Sequence, residues 1–269
     1  LCFEAVEDGS IKIQKQNPFN VLTLTSGIEY LSNSGVWQDY DFTQPTEISL
    51  SVGQKVYFRA KEGGNETFSL NFITYYYFIM TGKIKACGNI MSLFDKTLAK
   101  NDVPFGSFAN LFLNCVSLIT APDLPAKNIA MVSYQGMFKG CSSLESVPVL
   151  AMESIGSDSC VSMFEGCSSL TAVPELLPTS ISDYSYRDMF KGCKKLSKVS
   201  VRFKNWHNTT SYKGTLTWLE NTGTDSSVTE RIFICPAELK NSLSDQGQGG
   251  TIERSNNTVP DGWTIQPIQ

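Results

Sequence analysis

Four cysteines, Cys115, Cys141, Cys167 and Cys193, stand 26 residues apart, and each closes a five-residue block. The blocks read Leu111-Phe112-Leu113-Asn114-Cys115, Met137-Phe138-Lys139-Gly140-Cys141, Met163-Phe164-Glu165-Gly166-Cys167 and Met189-Phe190-Lys191-Gly192-Cys193. A fixed period of roughly 20–50 residues, held without slippage, is the signature of a repeat architecture. Counting onward from each cysteine, the apolar positions recur: Leu118, Leu144, Leu170 and Leu196, then Ala121, Val147, Val173 and Val199, then Leu124, Leu150 and Leu176. Further on come Ile129, Ile155 and Ile181, then Tyr134, Cys160 and Tyr186, with Phe108 in the equivalent place before the first cysteine. One unit cannot bury such a set alone. Stacked units can, at ~1.5–3 kcal/mol for each large side chain fully withdrawn from water.

The local pattern predicts what each unit is made of. Leu-x-x-Val-x-x-Leu, with Pro122, Pro148 or Pro174 inside it, reads as a brief and poorly laddered strand. From Ser133, Ser159 or Ser185 to Met-Phe the apolar residues fall at spacings of three and four, and Gly140, Gly166 or Gly192 follows where a helix would end. The expected unit is therefore strand, loop and short helix, a segment of a leucine-rich-repeat solenoid.

Residues 1–85 alternate apolar and polar between turn signals such as Asp8-Gly9, Ser34-Gly35 and Gly63-Gly64-Asn65. Candidate strands are Ser10–Gln14, Val21–Thr25, Trp37–Tyr40, Glu47–Ser51, Lys55–Arg59 and Phe68–Met80, enough for a small β-sandwich. Residues 86–110, with the degenerate Ile90-Met91-Ser92-Leu93-Phe94, read as an N-terminal cap on the repeats. After Phe203 the period fails, and 204–269 reads as a C-terminal cap. The expected class is α+β: an N-terminal antiparallel β-sandwich (1–85), a short leucine-rich-repeat solenoid with its cap (86–203), and a C-terminal cap (204–269).

Composition narrows the functions available. Lys and Arg total 22 against 26 Asp and Glu, a net charge of −4, which gives no electrostatic reason to expect nucleic acid as a partner. The longest apolar run, Phe72–Met80, is too short to span a membrane. The eight cysteines include no Cys-x-x-Cys, and one histidine, His207, cannot complete a Cys/His zinc site, so buried free thiols are expected and no metal. No phosphate-binding glycine loop, nucleophile elbow or zinc-protease motif occurs, and no cofactor is expected. His207, beside Trp206 in a polar segment, reads as a solvated cap residue and not as a base.

Met-Phe-x-Gly-Cys-x-x-Leu-x-x-x-Pro-x-Leu resembles the leucine-rich repeats of the BspA-like surface proteins of Bacteroides and their relatives. Phe3–Gly9, Phe78–Ile84 followed by Gly88-Asn89-Ile90, Cys235-Pro236-Ala237 and Pro260–Ile265 extend the likeness over nearly the whole chain. Departures are Asn114 in place of glycine, the displaced Leu177-Pro178 and Ser200 where proline is lost. The resemblance implies a non-enzymatic adhesion or interaction protein, located at a cell surface or secreted. No signal-peptide pattern is read in this chain, so that location rests on the resemblance alone.

Strand positions that point away from a repeat core commonly form the binding face. Here they are Thr120, Asp123, Ser146, Val149, Ala172, Glu175, Lys198 and Val201, of which Thr120, Asp123, Ser146, Glu175 and Lys198 are the polar candidates. The expected partner is a protein or glycan on a cell surface. The alternative places a carbohydrate-binding module in the sandwich, with Trp37, Tyr40 and Tyr57 stacking on sugar rings and Tyr75-Tyr76-Tyr77 near by. The two readings differ in whether those rings are exposed and coplanar.

Overall fold

The computed structural model describes residues 1–16, 27–65, 68, 75–206, 213–244, 252–255 and 257–268. Eight strands come first: β1 (Cys2–Ala5), β2 (Gly9–Gln16), β3 (Ile28–Leu31), β4 (Gln38–Asp39), β5 (Ile48–Leu50), β6 (Lys55–Ala60), β7 (Tyr75–Thr81) and β8 (Ile84–Cys87). Then follow β9 (Asp102–Val103), β10 (Leu118–Thr120), β11 (Asn128–Ile129), β12 (Ser154–Ile155), β13 (Lys198–Ser200), β14 (Ile232–Cys235), β15 (Leu243–Ser244), β16 (Ile252–Glu253) and β17 (Thr264–Pro267). The expected strand at Val21–Thr25 lies outside the described residues, as does His207.

β5-β2-β7 form one antiparallel sheet, and β8-β1-β6-β3-β4 a second, to which β10 adds in parallel. Their alternating apolar residues meet between the sheets, where Phe3 and Phe58 lie 4.9 and 5.4 Å from Phe78. The boundary expected at residue 85 falls inside β8, and the buried apolar cluster runs unbroken from Leu1 to Trp263.

The α+β class and the leucine-rich-repeat solenoid are corrected by the structure, which is nearly all sheet and turn. Among the described residues the one α-helix, Ala237–Ser242, lies beyond the repeats, and the other helical element is a single 3-10 turn at Ile90–Leu93. The segments expected to be helical are chains of overlapping turns. Their backbone bonding explains why. In an α-helix each N–H would bond back four residues within its own segment. Here alternate N–H groups bond back three: Leu113 to Asn110 O and Cys115 to Phe112 O. The groups between them reach the next repeat, Phe112 N–H to Met137 O at 2.8 Å and Asn114 N–H to Lys139 O at 2.8 Å. The scheme recurs from Phe138 to Met163 and from Phe164 to Met189, both at 2.9 Å.

Such alternation requires a left-handed residue every fourth position. Gly136 and Gly140 have φ of +61° and +76°, and their counterparts Ser162 and Gly166 have +53° and +76°. Asn110 and Asn114, at +60° and +57°, fill the same places one repeat earlier, consistent with asparagine's tolerance of this region. The predicted strands are also reduced. Only β10 and β13 are formed at their positions, and the repeats between make isolated bridges, Thr120 to Ser146 and Ser146 to Ala172.

Stacking aligns like side chains into columns. Phe78, Phe112, Phe138, Phe164 and Phe190 lie face to face with centroids 5.2, 5.2, 5.4 and 5.8 Å apart. The column therefore starts in β7 of the sheet pair and continues into the repeats. Beside it, Cys115, Cys141, Cys167 and Cys193 each donate a thiol hydrogen to a carbonyl, those of Phe78, Phe112, Phe138 and Phe164, at 3.0–3.1 Å. All eight cysteines are free.

Residues 213–223 form a fifth turn unit that the period did not reveal. Phe190 N–H donates to Trp218 O at 2.9 Å, and Thr217 and Asn221 adopt left-handed φ of +52° and +56°. Thr222 takes the cysteine's place, its Oγ1 donating to Phe190 O at 2.7 Å. Ser255 and Asn257–Val259 then cover this unit. Thr217 N–H donates to Asn257 Oδ1 at 2.8 Å, and Trp218 Nε1 donates to Thr258 O at 2.6 Å.

Candidate recognition surface

Two rows of residues face outward where neighbouring units meet. One runs from Lys85 through Thr120, Ser146 and Ala172, each paired in parallel with the next. At the far end Lys198 of β13 pairs with Ile232 of β14, and Ile232 with Thr264 of β17. The second row holds Asp123, bridged to Asn89, and then Val149 and Glu175. Alternation along each strand decides which side chains reach water: in β14, Phe233 and Cys235 are buried while Ile232 and Ile234 are half-exposed.

The five polar candidates do not converge on one point. Thr120 and Asp123 sit near the two-sheet end, Ser146 in the middle, and Glu175 and Lys198 near the last units. Asp123 is held by its backbone, its N–H donating to Gly88 O at 2.9 Å and its C=O accepting from Ile90 N–H at 3.1 Å. Glu175 accepts from Arg202 Nε at 2.9 Å and from Ser200 Oγ at 3.2 Å. That contact raises the Arg202 pKa above its ordinary value, hydrogen bonding to the carboxylate being the main cause. Water screens an exposed pair of this kind, so it orients Glu175 more than it stabilises the fold.

Both charged candidates near the last units border clefts. Glu175, Ile234, Gln266, Pro267 and Ile268 line one of 630 Å³. Lys198 lines another, of 410 Å³, with Thr171, Lys195, Ser197, Glu230 and Ile232 among its walls. The two clefts open on the same sheet face, since Ile232 and Ile234 are two residues apart on the same side of β14. Sequence reasoning missed Lys195, Ile232 and Gln266. The repeat register could have flagged Lys195, because Ser117, Ser143 and Ser169 precede it at that position.

The rings of the carbohydrate alternative do not form a platform. Tyr40 is buried between the sheets, its hydroxyl donating to Ile13 O at 2.8 Å and accepting from Ile13 N–H at 2.7 Å. Burial pushes its pKa up to about 12. The Arg59 guanidinium lies 3.8 Å from the Trp37 ring centroid and covers that face, while Arg59 Nε bonds Glu29 Oε1 at 2.6 Å. Tyr57 is exposed, and no ring pair includes it among the described residues. Tyr75 and Tyr77 share the outer face of β7, but their planes stand at 63°.

Among the described residues no group of three or more His, Cys, Asp or Glu is placed to hold a metal, and no helix is long and apolar enough to cross a membrane. No protein-family model matches the chain, and neither the curated proteins nor the solved structures contain a match.

Proposed function

We propose that this chain is a non-enzymatic recognition protein that binds a protein or glycan at a cell surface through the outward rows bearing Thr120, Asp123, Ser146, Glu175 and Lys198. One observation carries the reading. The buried phenylalanine, cysteine and leucine columns repeat the same residue from Phe112, Cys115 and Leu118 onward, whereas the outward rows change from Thr to Ser, Ala and Lys, and from Asp to Val and Glu. Uniform packing builds the scaffold, and variation on a rigid surface supplies specificity. The motif resemblance to BspA-like surface proteins supports the cell-surface location.

Screening the full chain against immobilised host-surface proteins and glycans tests this reading. Asp123→Lys with Glu175→Lys should slow association in a salt-dependent way and leave the melting temperature within about 2 °C. Trp37→Ala with Tyr57→Ala should bind as the parent does. Silent charge reversals alongside aromatic changes that abolish binding would overturn the assignment of the surface.

A further inference from the structure

The 410 Å³ cleft beside β13 lies within the roughly 300–1,000 Å³ range of small-ligand sites. Two lysines, Lys195 and Lys198, line it, and neither makes an ion pair among the described residues. Other lysines are ion-paired, as in Lys55–Glu4, Lys61–Asp39, Lys127–Glu153, Lys139–Glu165 and Lys191–Glu220. The carboxylate that acts electrostatically on Lys195 is Asp225, which is itself tied to Ser227 by a 2.6 Å hydrogen bond.

The repeat register sharpens the point. Position 195 follows Ser117, Ser143 and Ser169, and position 198 follows Thr120, Ser146 and Ala172. Both columns change from small uncharged residues to lysine in the same unit, the one facing the cleft. Packing does not require this, because both lysines are exposed.

The remaining walls choose among anions. Thr171, Ser197, Ser227 and Thr229 also line the cleft, the Ser227 hydroxyl donating to Asp225 Oδ1 at 2.6 Å, and Glu230 contributes a carboxylate. A polyanion would be repelled by Glu230. A saccharide with one anionic substituent could set that group between the lysines and donate its hydroxyls to Glu230, while the protein hydroxyls meet the rest of the ring. We infer that the cleft lined by Lys195, Lys198 and Glu230 binds an acidic saccharide, a sugar unit bearing a single sulfate or carboxylate. This inference rests on the recognition reading above and names a ligand class for one end of that surface.

Calorimetric titration of the full chain with a monosulfated disaccharide, its unsulfated parent, a hexa-aspartate peptide and inorganic sulfate tests it. The monosulfated sugar should bind at least about tenfold more tightly than each of the others, and less tightly at about 300 mM salt than at about 50 mM. Lys195→Ser with Lys198→Ser copies the small polar residues of earlier units, so it should fold with an unchanged melting curve and lose that preference. Glu230→Gln should weaken the sugar.

Equal binding of the unsulfated parent would overturn the anionic contact. Equal binding of the peptide or of sulfate would overturn the saccharide, as would unchanged or stronger sugar binding by Glu230→Gln. If no sugar binds while Asp123→Lys with Glu175→Lys still loses a captured partner, the cleft assignment fails and the recognition surface stands. If the sugar binds and those reversals are silent, the surface reading fails and the cleft stands.

Discussion

The Sγ of Cys160 lies 3.7 Å from the Sδ of Met152, and both side chains are fully buried. In the units on either side, the place of Cys160 is taken by Tyr134 and Tyr186, and the place of Met152 by Ala126 and Pro178. A small residue in one column is thus matched by a large one in the other, which keeps the interior filled.

This compensation is measurable. Met152→Ala should cost ~2–5 kcal/mol through lost transfer and a cavity, and Cys160→Phe ~1–3 kcal/mol through overpacking. The double variant should recover at least ~1 kcal/mol relative to their sum in urea denaturation. Additive costs would mean that the two side chains do not share one space.

Among the described residues the buried hydroxyls of Tyr134 and Tyr186 have no hydrogen-bond partner. Removing an unsatisfied buried group relieves its desolvation cost. Tyr134→Phe and Tyr186→Phe should each leave stability unchanged or raise it by ~1 kcal/mol, read from the denaturation midpoint. A loss of that size would reveal a bonding partner for the hydroxyl.

The thiols define an alkaline limit. Burial raises Cys115 and Cys160 to about 12 and Cys235 to about 11, from an ordinary 9.0. Folding holds these groups neutral, so the stability linked to them is complete below about pH 9 and is lost as pH rises through the folded values. Urea midpoints should fall between about pH 9 and pH 11, and excess reductant at pH 7 should leave the melting temperature unchanged. A marked drop on reduction would indicate a disulfide, typically worth about 2–4 kcal/mol.

Ending the chain after Phe203 removes the fifth turn unit and Asn257, leaving the outward N–H groups and Phe190 uncovered. That fragment should aggregate or melt without a cooperative transition. Asn257→Ala in the full chain, which removes the acceptor for Thr217 N–H, should cost ~1–3 kcal/mol.

The cysteine period disclosed the stacking columns directly, because Leu144, Leu170 and Leu196 or Phe138, Phe164 and Phe190 can recur only if units superimpose. It did not disclose the turns. Apolar spacings of three and four fit a helix equally well, and Val132, Asp158 and Tyr184 carry no sequence sign of their left-handed φ. The fifth unit escaped because the interval from Cys193 to Thr222 is three residues longer than the period, and threonine, asparagine and leucine replace cysteine, glycine and phenylalanine. In the surface, Glu175 and Lys198 followed from counting. Lys195 required comparing a column that was not expected to face a cleft, and β14 and β17 enter the face through pairings that no local pattern encodes.

The phenylalanine column makes length a discrete variable. Each added block of 26 residues would contribute one ring at the observed 5.2–5.8 Å spacing, together with one more residue in each outward row. Unequal recombination within such a gene could therefore lengthen or shorten the protein by whole steps without disturbing either end. An insertion inside a turn segment would shift its ring out of line, whereas extra residues between turn segments, as in the 29-residue interval from Cys193 to Thr222, leave the stacking intact. Variation in reach comes in quanta, and point substitutions along the outer rows remain free to alter what is grasped.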